Sequence, residues 1–369
     1  MTTFIPAEIM EPTTLQALWF ILIGVLVIGY FVLDGFDLGS GALYPFLAKD
    51  EKEKALVRRS IGPVWDGNEV WLLTGGGALF AAFAPAYATT FSGFYLAIML
   101  VLFALIARAI SVEFRAHDSA WHRLYDGAFF VGSALPALLF GVAIGNVIQG
   151  IPLDIHGDYA GLPLVGLLGI FPLTCGLVSL TVMILQGACW QALKAPVNSA
   201  LRERALRVRG LFALVVPIVF VVSTLTFFLV TPHQLTSGIP EVVRYAALAF
   251  IVVAAVASIA LSRANKDQTK TAQHADTKKA NKRDQYAFIA VSVYPVALIL
   301  LTAGSLFPYM VPSTGPGPSI SVASAGSSEL ALTVMTIIAC IGVPLVLIYH
   351  VVAYRIFRGR LNDADIADY

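Results

Sequence analysis

The chain has 369 residues, 58% of them hydrophobic and 13% charged, with a mean hydropathy of +0.79. Soluble domains run nearer ~45–50% apolar and ~25% charged, so a water-soluble enzyme is excluded. The net charge of +1 offers no basic field for nucleic acid, and 11% aromatic residues with so few charges exclude a disordered chain.

A helix that crosses a bilayer needs roughly 20 mostly apolar residues. Nine runs qualify: 15–37, 66–87, 90–112, 125–150, 163–190, 209–231, 241–262, 286–310 and 329–354. The first follows Glu8 and Glu11, has no basic segment ahead of it and leads into polar residues, so it reads as a retained span rather than a cleaved leader. The second opens with Asp66 and Glu69 and carries Gly75, Gly76 and Gly77. With Ala78, Ala81 and Ala82 these small residues predict close helix packing.

The basic residues set the topology. Of the 24 Lys and Arg, all but Arg244 fall at or after the ends of runs one, three, five, seven and nine. Basic loops face the cytoplasm, so the N-terminus is expected outside and the C-terminus inside, which an odd number of spans satisfies. The expected fold is therefore an all-α polytopic membrane protein of about nine transmembrane helices, a single membrane domain over residues 1–369. The polar stretch 263–285 reads as a flexible cytoplasmic loop, whose Lys cluster is suited to anionic lipid. Residues 311–328 read as an outer loop rich in Pro, Ser and Gly.

An ionisable group at a helix centre costs about 2.5–3.5 kcal/mol to insert and is a functional candidate for that reason. Asp34 and Asp37 close run one at i,i+3 spacing, which puts both on one helical face. Asp66 and Glu69 open run two with the same spacing, Arg108 closes run three, and Asp126 opens run four. All lie toward the cytoplasmic side in this topology. Close carboxylates share protons, which a proton path requires. The competing reading is an interfacial charge cluster with Arg108 snorkelling to headgroups.

Of six histidines only His350 lies inside a run, so a redox centre would sit on a partner. Cys175, Cys189 and Cys340 lie in apolar runs with no zinc spacing and read as packing residues. Trp19, Trp121 and Trp190 suit an interface belt. Trp65 abuts Asp66, and a flat ring beside a carboxylate suits a quinone head.

The segments L-D-G-F-D-L-G-S-G (33–41), P-V-W-D-G-N-E-V-W-L (63–72), G-G-A-L-F-A-A-F (76–83), F-S-G-F-Y (91–95), G-N-V-I-Q-G-I-P (145–152) and L-F-P-Y-M-V-P-S (306–313) then carry a resemblance. The chain resembles subunit II of the cytochrome bd-type quinol oxidases, from the first run to the last. The resemblance implies the non-haem subunit of a quinol:O2 oxidoreductase in a bacterial cytoplasmic (inner) membrane, not catalytic alone. It implies pairing with a subunit I that holds haem b and haem d and oxidises membrane quinol, and it leaves a small accessory subunit open. Asp34, Asp37 and Asp66 match acids that resemble the entrance of a proton path into subunit I, and Glu69 stands where some members have Gln. Trp65, Asp66 and Arg108 match the region where some members hold a structural quinone. The alternative function is a stand-alone proton-coupled secondary transporter, and a third reading is a structural subunit with no ion path.

Overall fold

Thr13 starts the first helix by a reciprocal cap: its hydroxyl accepts from the Gln16 amide, and the Gln16 side chain accepts from the Thr13 N–H. The computed structural model describes residues 11–230, 241–269 and 277–362. Helix α1 (Thr14–Leu33) does not end cleanly. Asp34 keeps right-handed helical angles and donates to the Tyr30 carbonyl, so α2 (Gly35–Leu47) continues one apolar rod over Thr14–Leu47. Helix α3 (Glu51–Ile61) is short and polar, with Asp50 as its cap, Glu51 and Glu53 in its first turn, and Arg58 and Arg59 in its last, as the helix dipole favours.

Helix α4 (Trp65–Ala82) stops at Phe83, and α5 (Ala84–Gly93) restarts with Pro85 in its first turn. The long helices α6 (Tyr95–Phe114), α7 (His122–Gln149), α8 (Ile170–Lys194), α9 (Ala200–Val230), α10 (Glu241–Thr269) and α11 (Thr277–Leu306) follow. A two-stranded ribbon, β1 (Tyr309–Val311) and β2 (Ile320–Ser321), and the short α12 (Val322–Ala325) precede the last helix, α13 (Glu329–Ile356).

Eight helices among the described residues are long and apolar enough to span a membrane, which makes this an all-α polytopic membrane protein. The reading of nine runs differs at 66–87. There α4 carries Asp66, Asn68 and Glu69 in its first turns, and these polar groups keep it out of the eight although it packs on α1. The run at 163–190 also starts late: a 3-10 turn at Val165–Leu167 precedes α8, which begins at Ile170.

Helix α2 lies against both α7 and α8. It approaches α8 so closely that a Cβ on Gly39 would fall 1.8 Å from the Met183 carbonyl oxygen, and one on Gly187 would fall 2.3 Å from the Gly39 carbonyl carbon. No residue but glycine fits at that crossing. The close packing expected of Gly76 and Gly77 is not made inside this chain, since a Cβ on either meets nothing within 4 Å. Helix α13 is the least buried span, with 6% of its most apolar window covered against 61% for α8. Its outer face is left for lipid or another chain.

Residues 311–328 are more ordered than a Pro/Ser/Gly loop suggests. Ile151 donates to the Pro312 carbonyl, Thr314 back to Ile151, and Gly317 to Leu153, which stitches this segment to 151–154. Gly315 and Gly317 are needed there, because a Cβ would lie 2.2 and 1.9 Å from the Leu153 and Asp154 carbonyl oxygens. Within 263–285, α10 runs on to Thr269 and α11 starts at Thr277, so the described parts are helical; residues 270–276 lie outside the described residues. Trp19 and Trp190 are not belt residues. Both are buried, and their indole N–H groups donate to the Leu332 and Ser60 carbonyls; Trp121 is exposed. Among the cysteines Cys189 is buried, Cys175 half-buried and Cys340 exposed.

Candidate functional site

The break in helical purity at Asp34 carries the site. Asp34 and Asp37 are both fully buried where α1 passes into α2. Arg108, also fully buried, reaches Asp34 from α6 with a two-pronged pair: Nη1 donates to Oδ2 at 3.0 Å and Nη2 to Oδ1 at 2.6 Å. Such a fork is the strongest ordinary way to hold a carboxylate charged without water. The snorkelling alternative does not hold for Arg108, which has no exposed surface.

Two more groups from α4 close the site. Glu69 lies 3.5 Å from Arg108 Nη2, with its side chain 23% exposed. Asn68 donates to Asp37 Oδ2 at 2.7 Å and to the Leu33 carbonyl at 3.1 Å. Asn68 in turn accepts from the Tyr354 hydroxyl at 3.0 Å, which ties α13 to the acids. Trp65 is buried, with Arg108 Cζ 5.9 Å from its ring centre. Tyr30 Oη, Asp37 Oδ1, Glu69 Oε1 and Gln186 Oε1 are buried without a hydrogen-bond partner. Buried polar atoms of this kind are served by water or a shared proton.

Asp34, Asp37, Glu69, Trp65 and Arg108 therefore converge, while Asp66 does not join them. It is exposed at the start of α4, one turn before Glu69. Of the residues expected around a quinone, Trp65 and Arg108 are buried side by side and Asp66 is exposed. His350 spends both ring nitrogens on protein partners: Trp71 Nε1 donates to Nε2 at 3.2 Å, so the proton sits on Nδ1 and is donated to the Val346 carbonyl at 2.9 Å. Neither nitrogen is left as an axial ligand.

Asp126 belongs to a separate network. It accepts from Arg115, Lys54 and Tyr44, and Arg115 also donates to Glu51 at 2.8 Å. The hydrogen bond from Arg115 holds the Glu51 carboxyl below the usual carboxylate range, against the smaller opposing effect of burial. Sequence reasoning missed three groups around the acids: Asn68, Tyr354 and Gln186. Asn68 was in view inside W-D-G-N; Tyr354 and Gln186 have no sequence signal beyond being polar near apolar runs.

A family model described as cytochrome bd terminal oxidase subunit II matches residues 15–357. The chain belongs to this family. Its relatives include the cytochrome bd-I ubiquinol oxidase subunit 2 of Escherichia coli, 36% identical with 95% of this chain and 96% of that one covered. A probable cytochrome oxidase subunit 2 of Haemophilus influenzae is 35% identical, over 96% of this chain and 97% of that one. The cytochrome bd ubiquinol oxidase subunit 2 of Bacillus subtilis is 31% identical, over 96% and 99%. The fold also matches a solved bd oxidase from Geobacillus thermodenitrificans, at a TM-score of 0.72 and 15% identity, over 94% of this chain and 99% of that one. As a bd-type subunit II, the chain is one part of an oxygen-reducing quinol oxidase, a multi-pass membrane protein with a partner subunit I. The haem cofactors belong to that partner. The stand-alone transporter is set aside.

Proposed function

We propose that this subunit scaffolds subunit I and admits protons to it from the cytoplasm through Asp66, Glu69, Asp37 and Asp34. One observation carries the reading. Asp34 and Glu69 share the single guanidinium of Arg108, Asp37 lies one turn from Asp34 on the same face, and Asp37 Oδ1 and Glu69 Oε1 have no hydrogen-bond partner. Three carboxylates against one cation in a water-poor interior leave room for a proton that moves among them. Asp66 is the group that meets water or the neighbouring subunit, and Glu69 one turn on relays inward. Arg108 holds Asp34 by two hydrogen bonds at the inner end of the path.

The positive-inside pattern supports an outside N-terminus and a cytoplasmic C-terminus, hence proton entry from the cytoplasm of a bacterial inner membrane. Subunit I would hold haem b and haem d, where quinol electrons reduce O2 to water. This chain's residues supply protons to that reaction and no redox centre. Lipid covers the remaining apolar faces, and a small accessory subunit would have the outer face of α13 to occupy.

The test uses the assembled oxidase. Asp66→Asn and Asp37→Asn are made separately, and haem content, subunit ratio and quinol-driven O2 consumption are measured. The expected result is full haem content with turnover lowered by about tenfold or more, the scale of a lost proton-transfer group. Normal turnover with full haem in both variants would remove the conduit and leave a structural subunit.

A further inference from the structure

At the end of α8 and just past α13 the balance of charge is reversed. Asp284 of α11 is fully buried and accepts from three guanidiniums: Arg202 at 2.8 Å, Arg209 at 3.0 Å and Arg360 at 2.8 Å. Arg360 spends its other donors on Asn281 and the Ala192 and Ala195 carbonyls. Beside this cluster a cavity of about 120 Å³ is lined by Arg59, Trp190, Lys194, Arg358 and Arg360 among others, and among its described lining residues none is Asp or Glu.

Lys194 is the base of that cavity. It is 7% exposed, 4.8 Å over the Trp190 ring, and donates to the Phe357 carbonyl at 2.5 Å. An ammonium has three hydrogens and one carbonyl takes one of them. Arg59 lies half-buried over the Phe357 ring at 6.0 Å, and Arg358 is exposed at the rim. A buried cation with no carboxylate beside it is costly, and an anion that enters from the rim relieves the cost. The volume equals about four waters at ~30 Å³ each, enough for one tetrahedral anion. Lys194 ends one span and Ile356 another, so the cavity lies at the depth of lipid headgroups.

We propose that this cavity is a phosphate site, with Lys194 at its base and Arg358 at its mouth. The phosphate comes from the headgroup of an anionic lipid or from free phosphate, and the test separates the two. The purified two-subunit oxidase is stripped of lipid by detergent exchange. Radiolabelled inorganic phosphate is titrated by equilibrium dialysis, and short-chain phosphatidylglycerol is compared with phosphatidylcholine by native mass spectrometry. One phosphate-bearing ligand per chain is expected, with affinity lowered about tenfold by Arg358→Ala, the scale of one charge-assisted contact, and lowered further by Lys194→Met. Arg358 is exposed, so its variant assembles with full haem content even if Lys194→Met does not. Saturable uptake of inorganic phosphate marks a free-phosphate site; retention of phosphatidylglycerol over phosphatidylcholine marks a lipid site. Absence of saturable binding in both arms overturns the proposal, as does binding indifferent to Arg358→Ala.

Discussion

Two buried charge clusters divide the molecule, and they solve opposite problems. At the junction of α1 and α2, three carboxylates gather with one guanidinium: Asp34 and Glu69 reach it, Asp37 is held by Asn68, and Asp37 and Glu69 each keep an oxygen with no hydrogen bond. Between α9, α11 and the segment after α13, Asp284 faces three guanidiniums and each of its oxygens accepts at least one bond. The first cluster is short of cations and incompletely bonded, which suits groups that exchange protons. The second has its acid fully bonded and joins three stretches of chain, which suits a clamp. Buried charge alone therefore does not separate the two clusters; the ratio of acids to bases and the acids' own unpaired oxygens do.

The comparison breaks most sharply at the two hubs. Arg108→Leu strands the fully buried Asp34 and is expected to cost about 3–5 kcal/mol, enough to abolish accumulation of assembled oxidase, read as haem yield from membranes. Asp284→Asn leaves three guanidiniums without a counter-charge and is expected to cost about 3 kcal/mol, read as a lower unfolding midpoint in detergent. The assembled fraction should turn over normally per haem. Asp37→Asn is the converse: little change in the midpoint and a large loss of turnover. If Asp284→Asn lost turnover per haem and Asp37→Asn did not, the two roles would have to be exchanged.

Much of the acid cluster was legible, and the clamp was not. Asp34 and Asp37 stand in an apolar run at i,i+3, where a solvated role has no room, and Arg108 is a cation inside another run. Their convergence follows from the cost of burying them apart. The i,i+3 spacing places Asp66 near Glu69 on α4 but cannot say where the edge of the bundle falls; Glu69 turns in toward Arg108 and Asp66 stays outside. Asp284 lies in K-K-A-N-K-R-D-Q, a stretch as polar as any solvated loop. The signal that could have found it is on another helix: Arg202 and Arg209 are two turns apart on α9, so one face presents two cations to a neighbour. The link from Tyr354 through Asn68 to Asp37 joins positions far apart in the chain, and no local pattern encodes it.

That link sharpens the comparison at lower energy. Tyr354→Phe removes one hydroxyl donor to Asn68 Oδ1 and is expected to cost about 1 kcal/mol of stability, measured by denaturation of the oxidase. If the link positions Asn68 for Asp37, turnover falls modestly and its pH optimum moves, whereas a purely structural bond changes the midpoint alone.

The smallest effect belongs to Glu51, which marks the limit of what paired charges do at the surface. Arg115 donates to Glu51 at 2.8 Å and lowers its pKa, yet the Glu51 side chain is 63% exposed. Water screens such a pair, so Glu51→Gln is expected to cost no more than about 0.5 kcal/mol. A carboxylate whose folded pKa is depressed contributes its stability above the unfolded value, about 4.3 for glutamate, and loses it as the pH falls through the folded value. Wild type and Glu51→Gln should therefore differ by this small amount at pH 7 and converge in acid below about pH 4. A gap that is large at neutral pH would mean that Arg115 and Asp126 rely on Glu51 as Arg209 relies on Asp284, and the network at the start of α7 would then be a second clamp.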